Sequence, residues 1–247
     1  SNFLTIYDSL FNHFQGDVLL KLAIFDLAGT TVDDSENAVF QCFRDALNEK
    51  GIDAPLELVN SVMGIKKLQA ITEILEQVAP DRTSDVLAQE IHDTFLQNIN
   101  RHYTESETVR EVEGTSQMFR ELKNNNIKVA FNTGFSRSTA DIIANRLGWY
   151  EHKLIDASAC SDEVQEGRPE PFMIQKIMNE LEISDPADVA KIGDTPSDLD
   201  EGKNAGCGLT IGVLYGTHNR NELEDYTHDH LVSNTHEIIE LITNDHS

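Results

Sequence analysis

The stretch LLKLAIFDLAGTTVD (residues 19–33) decides the fold. Its first seven residues are apolar apart from Lys21, and the run stops at Asp26. A short, β-rich apolar run of this kind reads as a strand buried on both faces, which points to a parallel sheet. Gly29 and Thr30 follow the acid and predict a tight turn whose backbone N–H groups can hold an anion. Aimed into such a nest, the Asp26 carboxylate can act as a nucleophile toward phosphorus. A lone Asp at a strand end is more often a turn or helix cap, so the remainder of the chain has to decide.

Downstream of this strand, residues 35–107 carry three helical patterns and no convincing strand. In the first, Val39, Phe43, Ala46 and Leu47 share a face, Asp33 and Glu36 have capping-box spacing, and Gly51 follows the end. The second, Leu56 to Val78, is interrupted at Met63-Gly64. The third, Ser84 to Tyr103, carries Leu87, Ile91, Phe95, Leu96 and Ile99. From about residue 108 strands and helices alternate. Strands are expected over 127–134, 154–160, 189–194 and 209–216. Helices are expected over 136–147, from Pro169 to about Leu181, from Ser197 to about Ala205, and over 235–243. The pattern predicts an α/β chain: a parallel sheet covered on both faces, formed by 1–33 and 108–247, with an all-helical insertion at 34–107. Upstream, Phe3, Ile6, Tyr7, Leu10 and Phe14 form one helical face over 3–14, expected to pack on the domain.

Composition narrows the function. There are 43 Asp and Glu against 19 Lys and Arg, a formal charge of −24. No basic block is present to neutralise phosphates, so nucleic acid and anionic membrane surfaces are excluded as partners. Cys42, Cys160 and Cys207 are isolated in sequence, the pattern of a reduced cytoplasmic protein. The segment Val18–Phe25 is broken by Lys21 and runs into Asp26, so neither a signal peptide nor a membrane span is expected.

Ligands of open parallel sheets bind beyond the carboxyl ends of the strands, which directs attention to Asp26, Thr133, Asp162 and Asp194. Asn132-Thr133-Gly134 ends a strand with a hydroxyl able to donate to a phosphoryl oxygen. Gly167-Arg168-Pro169 places a cation where it can neutralise a phosphoryl group. Gly193-Asp194-Thr195-Pro196-Ser197-Asp198 sets two carboxylates four residues apart at a strand-to-helix turn, a donor set suited to Mg2+. Part of that cluster is also expected to cap the helix. His228-Asp229-His230 lacks further ligands at fixed spacing and reads as a solvated loop.

Together these four pieces, in this order and with a helical insertion after the first, resemble the haloacid dehalogenase superfamily. The resemblance implies a doubly wound parallel sheet with the insertion as a cap domain. It implies Asp26 as the catalytic nucleophile, a phosphoryl site at Thr133, Gly134 and Arg168, and Mg2+ held among Asp26, Ala28, Asp194 and Asp198. Phosphatases of the superfamily carry an acid two residues after the nucleophile; this chain has Ala28. An Ala there cannot protonate an alkoxide leaving group. The phosphonatase (phosphonoacetaldehyde hydrolase) branch has Ala in that place and a Met-Gly-x-x-Lys segment in the cap. Met63-Gly64-Ile65-Lys66-Lys67 is similar to it, so the resemblance implies Lys67 as a Schiff-base lysine and Met63 as a substrate contact. Such a lysine must be neutral to attack, its pKa lowered by burial or by a nearby cation; Lys66 and Mg2+ are the candidates. The chain departs from the branch at Ala70, where a His is usual, at Phe135, where a Tyr is usual, and near Glu36, where a Cys is usual. The expected activity is hydrolysis of phosphonoacetaldehyde to acetaldehyde and phosphate. The alternative is a Mg2+-dependent phosphatase for a small phosphate ester. Pairing through the cap into a homodimer is a further implication of the branch.

Overall fold

The computed structural model describes residues 20–243; the helix expected over 3–14 lies outside them. The six strands are β1 (Leu22–Phe25), β2 (Lys128–Thr133), β3 (Ala157–Cys160), β4 (Val189–Gly193), β5 (Leu209–Val213) and β6 (His230–Val232). They form one parallel sheet in the order β3-β2-β1-β4-β5-β6. The chain builds outward from β1 to β3 and then returns to build outward from β4. The gap between the carboxyl ends of β1 and β4 is therefore the topological switch point, where ligands of such sheets bind.

Successive side chains of a strand point to opposite faces, and β1 shows why both of its parities are apolar. Leu22 and Ile24 pack with Met173, Ile174 and Ile177 of α7 (Phe172–Glu180) on one face. Ala23 and Phe25 pack on the other with Phe119 of α5 (Thr115–Asn124), Ile143 of α6 (Arg137–Arg146) and Ile238 of α10 (Thr235–Thr243). Helix α8 (Pro196–Ala205) lies against β4 and β5, and α9 (Arg220–Leu223) precedes the edge strand β6.

Between β1 and β2 come the inserted helices α1 (Ala38–Glu49), α2 (Leu56–Ser61), α3 (Lys67–Val78) and α4 (Asp85–Glu105). Phe43 of α1 and Phe95 of α4 meet with ring centroids 4.9 Å apart at the centre of this unit. Its apolar cluster runs without a break into the α5 face of the sheet. Helix α4 reaches down to the core: Thr139 Oγ1 of α6 donates to Asn100 Oδ1 at 2.7 Å, and Arg146 Nη1 to the Tyr103 carbonyl at 2.9 Å. Among the described residues no helix is long and apolar enough to cross a membrane.

Several local expectations are corrected. Asn37 adopts a left-handed conformation (φ 54°), which delays α1 to Ala38. Asp34 rather than the Asp33–Glu36 pair therefore caps it, its Oδ1 accepting from Ala38 N at 2.8 Å. Asp33 instead pairs with Arg110, and Glu36 accepts from Thr108 Oγ1 at 2.9 Å. Pro169 does not open α7; the Gly167–Glu170 turn (Glu170 N to Gly167 O, 3.1 Å) comes first, and the helix begins at Phe172. The edge strand β6 was not expected, because three residues are too few to show an alternation.

Candidate active site

The site begins with β1. Asp26 N donates to Ile192 O at 2.9 Å, which carries the β1–β4 pairing one residue past the strand. The chain then turns so tightly that Thr30, Thr31 and Val32 all donate backbone N–H groups to the Leu27 carbonyl. Gly29 makes this possible with φ 84°, and a Cβ there would run into the Asp194 carboxylate. On the neighbouring strand, Asp194 follows β4 directly. Thr195 then caps α8 by a reciprocal pair: Asp198 N donates to Thr195 Oγ1 at 3.3 Å, and Thr195 N donates to Asp198 Oδ2 at 3.2 Å. Asp198 is thus both a cap and a member of the site.

Asp26, Asp194 and Asp198 are buried, and each offers an oxygen within 4.8 Å of the others. Asp194 is held by Thr30 Oγ1 (3.0 Å) and by the Thr217 N–H (2.7 Å). Burial, and then the charges of Asp26 and Asp198, push its pKa up to about 7. Burial likewise raises Asp26, against the pull of Arg168. Asp198 goes the other way: burial would raise it, but Arg168 and Lys191 together hold it below its usual range.

The counter-charges lie behind the carboxylates. Arg168 is fully buried. Its Nη1 donates to Asp26 Oδ1 at 2.7 Å and lies 2.9 Å from Asp198 Oδ1. Its Nε donates to Glu201 Oε2 at 2.9 Å, and its Nη2 donates to both Asn132 O and Asn132 Oδ1 at 2.7 Å. Lys191, at the β4 parity facing α8, donates to Asp198 Oδ1 (2.7 Å) and Asn132 Oδ1 (2.9 Å). Asp26, Asp198 and Glu201 pair with two cations, Arg168 and Lys191, while Asp194 pairs with neither, so four buried carboxylates stand against two cations. With all four ionised, the excess of two negative charges, concentrated where the three aspartates converge, fits a divalent ion bound through oxygen.

In front of the carboxylates is a cavity of about 30 Å³, walled by Asp26, Ala28, Asp34, Val39, Met63, Gly64, Lys67, Thr133, Gly134, Phe135, Thr195 and Thr217. Core and cap both contribute. They meet where the Met63–Lys66 turn sits on the end of β2. A Cβ on Gly134 would lie 2.5 Å from the Ile65 carbonyl oxygen, so only glycine permits this approach. Lys67 opens α3 and is 5% exposed. Among the described residues its Nζ reaches one hydrogen-bond acceptor, the Ile65 carbonyl at 3.5 Å, and sits 5.4 Å from the Phe135 ring centroid and 5.9 Å from that of Phe43. Burial lowers its pKa to about 8; Asp26 opposes this and Arg168 assists. Lys66, expected to be a cause, is not among the principal ones, and burial is the largest.

The structure therefore gathers Asp26, Ala28, Met63, Lys67, Thr133 and Gly134 on one cavity wall, with Asp194 and Asp198 behind it. Arg168 is near Asp26 but off the cavity, its guanidinium enclosed by protein acceptors. Asp162 is not at the site; it caps α6, accepting from Arg137 N at 3.0 Å. His228-Asp229-His230 gathers no metal cluster: Asp229 bonds the Thr210 N–H at 2.7 Å and His228 the Tyr226 carbonyl at 2.7 Å.

Sequence reading missed Asp34, Lys191, Glu201, Thr195 and Thr217. The lysine inside the apolar strand VAKIG and Glu201, one helical turn beyond Asp198, leave only a weak trace in the sequence, because charged residues on strands and helices usually face water. Tyr103 was also missed. Its ring stands edge-on to Phe135 with centroids 5.8 Å apart, and its buried hydroxyl has no hydrogen-bond partner among the described residues. A phenol thus lies beside the position where Phe135 replaces one.

A model of the haloacid dehalogenase-like hydrolase family matches residues 23–211. A phosphonoacetaldehyde hydrolase of Bacillus cereus (strain G9842) is 30% identical over 211 residues, 80% of this chain and 77% of the relative. A second, from Bacillus cereus (strain AH820), is 28% identical over 91% of this chain and 87% of its own. Among solved structures, a phosphonoacetaldehyde hydrolase-like protein of Oleispira antarctica superposes with a TM-score of 0.75 at 20% identity, covering 91% of this chain and 93% of that one. A hydrolase of Pseudomonas syringae gives 0.79 at 19% identity over 90% of this chain and 97% of its own. These structures share the fold. With a matching model over more than half its length and a sheet, insertion and carboxylate cluster in the expected places, the chain belongs to the haloacid dehalogenase-like hydrolase family.

Proposed function

We propose that the protein hydrolyses the carbon–phosphorus bond of phosphonoacetaldehyde, giving acetaldehyde and phosphate. The observation that carries this reading is Lys67: a buried amine with a pKa near 8, in the same small cavity as Asp26, with Ala28 where an acid for an alkoxide leaving group would stand. A phosphate-binding lysine is best kept charged; one that must attack a carbonyl is best kept near neutrality. The two curated relatives carry the same activity in their names.

The neutral Lys67 amine adds to the aldehyde carbon, and the carbinolamine oxygen takes up a proton from solvent and leaves as water, giving the iminium. Asp26 attacks phosphorus through the oxygen that Arg168 does not hold. As the carbon–phosphorus bond breaks, its electron pair moves into the iminium and forms an enamine, so no free carbanion is released. Water then cleaves the aspartyl phosphate. Protonation at carbon and hydrolysis return the lysine and release acetaldehyde. Arg168 orients the nucleophile and balances Asp198. Thr133 supplies a hydroxyl, and Met63 an apolar wall. Asp26, Asp194 and Asp198, with Ala28 beside them, would hold Mg2+, which supplies charge neutralisation at the transferring phosphoryl group.

The test compares phosphonoacetaldehyde with a panel of small phosphate esters. Equal release of acetaldehyde and phosphate is expected from the wild type, with Lys67→Arg inactive on the phosphonate. Esters turned over equally well by wild type and Lys67→Arg, with no acetaldehyde from the phosphonate, would establish a phosphatase instead.

A further inference from the structure

Three titratable side chains stand on the cavity wall: Asp26, Lys67 and Asp34. In the reading above the first two are engaged covalently, by phosphorus and by carbon. The cycle still needs a proton for the enamine carbon and a base for the water that hydrolyses the product iminium. The position where the branch carries a histidine is Ala70, which is apolar and fully buried.

We infer that Asp34 is the catalytic acid–base that completes the cycle by protonating the enamine. This rests on the imine chemistry proposed for Lys67. Asp34 lies at the junction of core and cap, where its Oδ1 caps α1 through Ala38 N (2.8 Å) and Val39 N (3.4 Å). No hydrogen bond engages its Oδ2 among the described residues. One oxygen is therefore fixed by the helix and the other is left for proton transfer, in a residue that lines the cavity and lies close enough to Lys67 to feel its charge. Burial pushes its pKa up to about 6, with Asp33 adding to the rise and Lys67 opposing it, so both protonation states are accessible near neutrality. Asp34 also lines a second small cavity, with Asp33, Glu36, His102 and Arg110 as its other titratable and charged groups.

The step balances. The Asp34 O–H proton passes to the carbon that has lost phosphorus, and the enamine electron pair forms the new C–H bond. Positive charge returns to the imine nitrogen. The carboxylate then accepts a proton from the water adding to the iminium carbon. The resulting carbinolamine transfers its hydroxyl proton to nitrogen as the C–N bond breaks.

Asp34→Asn separates this role from the capping role, because the amide oxygen still accepts from Ala38 N. Protonation follows carbon–phosphorus cleavage. The variant is therefore expected to release a burst of phosphate equal to its active sites and then to turn over about 100-fold or more slowly, with kcat and KM falling together and kcat/KM nearly unchanged. Asp34→Glu, which keeps a transferable proton, is expected to turn over without a burst. Wild-type turnover by Asp34→Asn would overturn the assignment. So would equal losses in kcat and kcat/KM without a burst, or a burst in Asp34→Glu. A wild type that forms no borohydride-trapped adduct would overturn the imine reading and this inference together. An adduct with unchanged turnover in Asp34→Asn would overturn the Asp34 role alone.

Discussion

Lys67 illustrates how little of a residue's chemistry lies in its identity. A lysine at the first turn of a helix is ordinarily solvated. Here the Met63–Lys66 turn folds it inward beneath Phe43 and Phe135, and removal from water brings its pKa to about 8. Only the neutral amine attacks, so kcat/KM on phosphonoacetaldehyde is expected to rise with pH and to level off above about 8. A pH–rate profile over the neutral range checks this. A kcat/KM that is flat or falling through that range would remove Lys67 as the attacking group. At this scale the sequence was legible where a residue ended a strand, as at Asp26 and Asp194, because an acid after an apolar run has few purely structural uses. It was not legible at Glu201, Lys191 and Asp34. Charged residues on helices and strands usually face water. Only the fold shows that Glu201 and Lys191 turn inward to hold Arg168 and Asp198, and that Asp34 lines the cavity.

At the scale of elements, the site depends on two glycines that let backbone segments approach. Gly29 makes room for Asp194 behind the β1 turn, and Gly134 lets the Met63–Lys66 turn of the cap sit on the end of β2. A methyl group at Gly134 would force the turn away from the core and carry Lys67 with it. Gly134→Ala is therefore expected to lower phosphonate turnover by about 100-fold or more while unfolding within a few degrees of the wild type, since the displaced turn is short. Turnover and a thermal melt measured on the same sample decide. Full activity would show that the cap does not set the lysine by this contact. The insertion itself was readable from three consecutive helical patterns without a strand, and so was its break at Met63-Gly64. The start of α1 was not readable, because the left-handed Asn37 that delays it leaves no periodic trace. Pro169 misled for a related reason: a proline can open a helix or stand in the turn before one.

For the molecule as a whole, a formal charge of −24 opposes an anionic substrate. The fold answers locally, by placing Lys67 in the cavity and Arg168 and Lys191 behind it. Even so, the carboxylates outnumber the two cations behind the cavity, which is why a divalent ion fits. Metal and proton compete for Asp194, whose pKa is raised to about 7 without metal. The ion is thus expected to bind more weakly below about pH 7 than above it. Saturating Mg2+, at about 100 times its Kd, is expected to raise the melting temperature by about 5–10 °C above neutrality and by less below it. A melting temperature indifferent to Mg2+ at every pH would remove the metal from the account. The most direct test of the central claim is the mass of the intact chain after incubation with phosphonoacetaldehyde and borohydride. A single N-ethyl adduct on Lys67, absent from Lys67→Arg, is the result expected. An unmodified wild-type chain under conditions where phosphate is being released would contradict it.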